Sequence, residues 1–449
     1  MILRLVATLC LAVAPALAQR PITGMPVPEL SFLDDTVHAF MDTSLVRGVV
    51  LGVADQGRII YMRGFGWQDE ALTEPLQENA VMRIASITKT FTAAIIIDLV
   101  DRGLLSLDDQ AFDIAHDGSG ILDLEPFPTA GSLLLDNIRI SHLLQHTAGW
   151  DRIENFDLTT RELQIQDEMG LAQLPTRAET MRWILGHPLQ HVPGSEYEYS
   201  NEGYVALGLI AEQVSGIDLL SYVRTYLLTE DLWFPMTDIF MGFTREADVD
   251  QREPFYNTPW FTTNVFDPDG PDVRASYGGR YIEIRNGQGR IVAGAAPLLH
   301  HAHRFYLNGD ERGQPIGEVH VTRNHGGALA GSNSLLRQRD DGIDYIILTN
   351  RYVDVTHAVQ LGNLLQDVLD ANVVPPLDET VDCRWMDFGY GGAEQGSYEM
   401  PFGSVNDLGS VPPFSKVKIK PGSSAWTGVV TRGKLLLTST RTGSAVIGK

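Results

Sequence analysis

A chain of 449 residues, 44% hydrophobic and 20% charged, is long enough to bury a large core and too apolar to be disordered. Its formal net charge of −23 speaks against a nucleic-acid or anionic-membrane partner, because either would need a basic surface.

In chain order, Arg4, an apolar stretch and the small-residue end Ala16-Leu17-Ala18 read as a secretory signal over residues 1–18. Cleavage is expected near Gln19, and the protein is expected to be secreted or periplasmic. The apolar run is too short to span a bilayer, and no later segment reaches about 18 uninterrupted apolar residues, so no transmembrane helix is expected. Cys10 lies inside the signal, with Leu9 where a lipid-attachment site would want a small residue. Cys383 is then alone, so no internal disulfide forms.

Residues 46–69 read as two Val- and Ile-rich strands joined at Asp55-Gln56-Gly57. ITKTFTAAIIIDLVDRGLLSLDD predicts a helix stopping near Gly103, and RISHLLQHTAGW a short helix ending in a Gly. RAETMRWILGH is helical, PLQHVPGSEYEYSNEGY is a Pro/Gly loop, and VALGLIAEQVSG is a helix stopped at Gly216. IDYIILTNR is a strand, and VTHAVQLGNLLQDVLDAN a terminal amphipathic helix. Strands at both ends with helices between predict α and β in one large domain, its sheet closed by the N- and C-terminal segments. The domain is placed at 25–372, with an extension of no assigned role over 373–449. Residues 411–449 contain seven Lys and Arg and no Asp or Glu, a composition that fits a basic interaction tail, an added module or a frame artefact equally.

Ser86-Ile87-Thr88-Lys89 puts a hydroxyl and an amine one helical turn apart. A serine becomes a good nucleophile only beside a base, and a helix N-terminus leaves backbone N–H groups free for a developing oxyanion. Tyr199-Ser200-Asn201 offers a phenol and an amide for proton relay and substrate positioning. His325-Gly326-Gly327 opens a stretch whose glycines let a substrate approach a strand edge. Each triplet also occurs elsewhere, at Ser415–Lys418, Tyr306–Asn308 and His116–Gly118, and so means little alone.

The ordered phrases RIASITKTFTAAIIIDLVDRGLLSLDD, ISHLLQHTAGW, PGSEYEYSNEGYVALGLIAEQVSG and HGGALAGSNS…DYIILTNR resemble the serine β-lactamase-like family: class C β-lactamases, D-Ala-D-Ala carboxypeptidases and related esterases. The resemblance runs from about residue 35 to 370 and rules out the decoys by order. It implies an α/β fold with an antiparallel sheet flanked by helices, a mostly helical subdomain, and a site in the cleft between them. It also implies a serine hydrolase that acts through a Ser86 acyl-enzyme on a small-molecule or peptide substrate, with no metal or organic cofactor. Lys89 and Tyr199 would share the proton traffic, and Asn201 would position substrate. The N–H groups of Ser86 and Ala328, just after Gly327, would form the oxyanion hole.

His325 stands where many relatives carry a lysine. A histidine is a weaker carboxylate anchor at pH 7, which favours an ester or a D-amino-acid peptide over a β-lactam. A true β-lactamase and a catalytically silent binding protein of the same fold are the alternatives. The aromatic-rich segment from about 225 to 320 is expected to shape much of the pocket. His300, His301 and His303 lack the H-E-x-x-H arrangement and are read as solvated or core rather than metal ligands. His146 is read as packing a helix end at Gly149.

Overall fold

The computed structural model describes residues 20–228, 236–312, 323–352, 356–372 and 374, together with short paired strand segments in the C-terminal extension. The expected signal and most of the extension lie outside these residues. In the extension, Ala425–Thr431 pairs antiparallel with Lys434–Thr440.

The strands in chain order are β1 (Ile22–Thr23), β2 (Gly48–Asp55), β3 (Arg58–Gly66), β4 (Met82–Arg83), β5 (Gln110–Phe112), β6 (Gly120–Leu122) and β7 (Ile239–Met241). They continue with β8 (Phe261–Thr262), β9 (Val273–Arg274), β10 (Ile291–Ala293), β11 (Asn324–Leu329), β12 (Ser332–Gln338) and β13 (Ile343–Thr349). The helices are α1 (Ser31–Ser44), α2 (Thr88–Asp101), α3 (Ile140–Leu144), α4 (Glu162–Glu168), α5 (Arg177–Leu185), α6 (Asn201–Ser215), α7 (Leu219–Tyr222), α8 (Ala295–Arg304) and α9 (Thr356–Ala371).

Apolar alternation in β2 sets the layers. Val49, Leu51 and Val53 face the side covered by α1 and α9, and Val50 and Ala54 face the other. Both faces are buried, so the strand reads as a continuous apolar run. Gly52 lets α8 sit close, since a Cβ there would stand 3.0 Å from both Ala295 Cβ and Leu299 Cδ1. The main sheet runs β1-β3-β2-β13-β12-β11, every pair antiparallel. N-terminal and C-terminal strands thus meet at β2–β13, as the sequence predicts. The two-strand reading of 46–69 holds, with the turn at Gln56 and Gly57 in left-handed conformations.

Helices α2 to α7 pack beyond the α8 face around α2, which is buried on nearly all sides from Thr88 to Leu99. A helix apolar all round belongs in the middle of a core. Capping agrees with the sequence: Gly216 closes α6 in a left-handed conformation, and Thr176 and Glu179 form a reciprocal capping box on α5. No single helix among the described residues is long and apolar enough to cross a membrane.

Candidate active site

Ser86 does not lie in α2 itself. It sits in a 3-10 turn, Ala85–Ile87, ahead of the helix, and Ala85 before it holds a left-handed φ of 49°. A β-carbon residue held there needs support from its surroundings. Support comes from β12: Ser332 Oγ donates to the Arg83 carbonyl (2.5 Å) and Ser334 Oγ to the Ile84 carbonyl (3.0 Å). Below this turn Arg83 is buried, donating to the carbonyls of Ser276 (2.6 Å) and Phe243 (2.8 Å) and lying over the Tyr256 ring at 4.5 Å.

Lys89, 1% exposed, projects from the first turn of α2. Its Nζ lies 3.3 Å from Ser86 Oγ and donates to the Gln288 carbonyl at 2.8 Å. The ring faces of Tyr199 and Tyr204 stand 5.1 and 5.6 Å from the same nitrogen. Ser86, Lys89 and Tyr199, 113 residues apart in sequence at the extremes, therefore converge on one point.

Tyr199 is fixed from two sides. Its ring stacks on His146 with centroids 4.5 Å apart, and the next residue, Ser200, caps α6 through a bond from the Gly203 N–H (3.1 Å). His146 does not pack a helix end at Gly149 as expected. Helix α3 stops at Leu144, and His146, at φ 57°, accepts the Ser200 N–H through Nδ1 (3.1 Å). Burial, then the charges of Lys89 and His325, lower its pKa to about 3, which keeps Nδ1 free to accept.

Asn201 opens α6 and donates Nδ2 to Asp157 Oδ2 at 2.6 Å. Asp157 also caps the turn Leu158–Thr160, accepting from the Thr159 N–H (3.0 Å) and Oγ1 (2.5 Å). Beneath them Glu202 is buried. It accepts from the Leu158 N–H and from Ser200 Oγ, both at 2.9 Å. Burial and then the nearby Asp157 raise its pKa to about 7.

On the opposite side β11 is the sheet edge. Gln338 N donates to the Arg323 carbonyl at 2.8 Å, which fixes the alternation of hydrogen-bonded pairs along β11–β12. Ala328 falls opposite Asn333 in a non-hydrogen-bonded pair, so its N–H points off the edge rather than into the sheet. His325 is half-buried and its Nδ1 contacts the Gly326 carbonyl at 2.9 Å. Burial, and after it Lys89, lower its pKa to about 4, so it carries no charge at pH 7.

A cavity of about 400 Å³ joins these walls. Ser86, Asn201 and Ala328 line it, whereas Lys89, Tyr199, His325 and Gly327 are not among its lining residues. The rest of the wall comes largely from the expected segment: Trp260, Thr262, Ala275, Arg280, Arg285 and Gln288. Trp260 packs edge-on against Tyr352, ring centroids 5.5 Å apart, as an apolar rim. Asp157, Arg285 and Gln288 were not legible as site residues. Asp157 reads as an ordinary N-cap, and Gln288 meets Lys89 through a backbone carbonyl that no side-chain pattern reveals.

Among the described residues no group of three or more His, Cys, Asp or Glu is arranged to hold a metal ion. His301 is a core residue, stacked on Phe91 at 4.0 Å.

The antiparallel sheet, with the helical layer packed against it, has the β-lactamase-like fold, and the Ser–Lys pair lies at their junction. Residues 33–248 match the family model described as Beta-lactamase, and the fold extends the likeness to the strands that close the sheet. Among curated relatives, esterase EstB of Burkholderia gladioli is 33% identical over 189 residues, 41% of this chain and 45% of its own. Penicillin-binding protein 4* of Bacillus subtilis is 28% identical over 188 residues, 40% of this chain and 35% of its own. The chain thus spans less than half the length of the curated relatives described. Among solved structures, D-amino acid amidase from Ochrobactrum anthropi complexed with D-phenylalanine matches at TM-score 0.55 and 18% identity, covering 76% of this chain and 99% of that one. D-alanine carboxypeptidase AmpC from Burkholderia cenocepacia matches at TM-score 0.52 and 18% identity, covering 76% and 100%. These structural likenesses concern the fold.

Proposed function

We propose that this protein is a secreted or periplasmic serine hydrolase that cleaves an ester or a D-amino-acid peptide or amide through a Ser86 acyl-enzyme. The observation that carries the reading is the 3.3 Å contact between Ser86 Oγ and the buried Lys89 amine at the edge of a cavity. Ser86 Oγ attacks the carbonyl carbon while its proton passes to the Lys89–Tyr199 pair. The oxyanion is held by the N–H groups of Ser86 and Ala328. The C–O or C–N bond breaks, and the leaving group takes the proton. Water then attacks the ester of Ser86, gives its proton to the same pair, and the acid leaves as Ser86 recovers its hydrogen.

A neutral His325 puts no cation for a substrate carboxylate at the strand-edge position, which favours esters and D-amino-acid amides over β-lactams. The relatives named as an esterase and a D-amino acid amidase support the same substrate range. Export rests on the leader-like residues 1–18, and N-terminal sequencing of the exported protein tests it.

Peptide mass spectrometry after fluorophosphonate treatment tests the chemistry. An adduct is expected on the peptide containing Ser86 and is expected to vanish in Ser86→Ala. If folded protein takes no adduct from fluorophosphonate, penicillin or an activated ester, the reading gives way to a silent binding protein.

A further inference from the structure

Resting on the hydrolase reading and its two oxyanion donors, we infer that Asn333 is a positioning residue for the Ala328 donor. It holds and polarises the one peptide group that carries the Ala328 N–H, and it ties that group to the first turn of α9.

The Gly327 carbonyl and the Ala328 N–H belong to a single planar peptide group. Asn333 Nδ2 donates to that carbonyl at 2.7 Å. Gly327 stands opposite Ser334 in a hydrogen-bonded pair of β11–β12, so its carbonyl points into the sheet while the Ala328 N–H points off the edge. Fixing the carbonyl therefore fixes the direction of the N–H. Hydrogen-bonded amides also polarise one another, so a carbonyl that accepts makes the N–H of its own peptide a better donor.

Asn333 is itself held. Its Oδ1 accepts the Ala358 N–H at 2.8 Å, in the first turn of α9, where backbone N–H groups lack helical partners. Thr349 Oγ1 donates to its backbone carbonyl at 3.0 Å. A carbonyl only accepts and an N–H only donates, so Gly327 and Ala358 leave one orientation for the side-chain amide. The amides then run from the Ala358 N–H through Asn333 to the Gly327 carbonyl, and the Ala328 N–H ends the series at the oxyanion.

An apolar residue would suit this position better as packing. Asn333 is 2% exposed and shares a face of β12 with Leu335, which packs into the apolar cluster beneath α1 and α9. Burying an amide there costs energy that only hydrogen bonds offset. The neighbours complete the pattern, since Ser332 and Ser334, on the other face of β12, hold the Arg83 and Ile84 carbonyls ahead of Ser86. Ser332-Asn333-Ser334 thus braces both oxyanion donors, Ser86 from one face of the strand and Ala328 from the other.

Two measurements test this. One is phosphorus NMR of the fluorophosphonate adduct on Ser86, whose phosphoryl oxygen takes the place of the oxyanion. The other is single-turnover release of p-nitrophenol from p-nitrophenyl acetate. Asn333→Asp keeps the acceptor for Ala358 and loses the donor to Gly327. Asn333→Leu, of similar size and uncharged, loses both and decides the matter should the aspartate variant fail to fold. Acylation is expected to slow about tenfold, short of the roughly 10²–10³-fold for outright loss of an oxyanion donor, with half-saturation unchanged. The phosphorus signal is expected to move toward its position in the unfolded adduct. Thr349→Val, which removes a buried hydrogen bond to the same residue, is expected to lower the melting temperature and leave the signal in place. Wild-type acylation and an unmoved signal in the Asn333 variants, or an equal movement in Thr349→Val, overturn the inference and leave the hydrolase reading standing. No adduct and no p-nitrophenol release from the wild type overturn both.

Discussion

Gly327 lies against the carbonyl of Ile84 so closely that a Cβ on it would stand 2.0 Å from that oxygen and 2.5 Å from Ser334 Oγ. The edge strand is therefore pressed onto the backbone that leads into Ser86, and this contact sets where the Ala328 N–H stands relative to the Ser86 hydroxyl. Gly327→Ala must push β11 away, at a cost of about 1–3 kcal/mol for an overpacked site. It is expected to lower the melting temperature and slow Ser86 acylation together. Gly326→Ala, whose Cβ would meet only the Ser334 carbonyl oxygen at 3.7 Å, is expected to leave the melting temperature unchanged. Equal melting curves for the two variants would contradict this account of the strand edge.

Lys89→Met keeps the buried stem and removes the amine, and Tyr199→Phe keeps the ring stack on His146 and removes the hydroxyl. Each is expected to slow hydrolysis about 10²–10⁴-fold, the range for loss of a proton-transfer group. Ester turnover, with adduct formation on Ser86 followed by mass, measures both. A Tyr199→Phe variant of wild-type rate would remove the phenol from the proton path.

The buried Arg83 serves stability. Its guanidinium holds two carbonyls, and its Nε lies 3.9 Å from Glu253, which accepts from Tyr256 at 2.5 Å. Arg83→Met leaves Glu253 buried without a cation and is expected to cost about 3–5 kcal/mol. The double variant Arg83→Met/Glu253→Gln is expected to recover part of that loss in thermal melts. Additive losses would show that the two side chains do not act as a pair.

The buried carboxyl of Glu202 gives stability a definite pH slope. Its pKa is 4.5 ordinarily and about 7 when folded. Between these values the native state keeps a proton that the unfolded chain releases, so this contribution is present below pH 4.5 and is lost as pH rises to 7. Glu202→Gln removes it. The melting temperature of the variant relative to wild type is expected to climb between pH 4.5 and 7, and a difference that stays flat would refute the assignment. His146 has the opposite sign: with its pKa lowered from 6.5 to about 3, its contribution is present above pH 6.5 and is lost on acidification.

Because His146 and His325 both titrate at about 4 or lower, neither contributes an inflection to kcat/KM near pH 6.5. A bell whose acid limb falls at 6.5, and which disappears in His325→Gln, would put a charged histidine back into the mechanism.

Much of the architecture was legible because local rules and tertiary packing agree. Alternating Val and Ile made β2 and β3 readable, the Gly216 stop ended α6, and IDYIILT declared itself as β13. The ordered spacing of Ser86, Lys89, Tyr199, Asn201 and His325 carried the family likeness. Those residues could be named because each sits beside a helix start or a strand edge with its own sequence signal.

Sequence by itself determined which segments form strands and helices and which side chains can do acyl-transfer chemistry, because propensity, capping and apolar periodicity act over a few residues. Only the tertiary structure decided that His146 orients the Tyr199–Ser200 turn, that the Gln288 carbonyl holds Lys89, and that Asp157 faces the cavity with Asn201 bound to it. Those relationships join residues 44 to 199 positions apart through hydrogen bonds or shared burial. Neither leaves a periodic trace in a chain, since it is the packing of whole layers that brings such groups within hydrogen-bond distance.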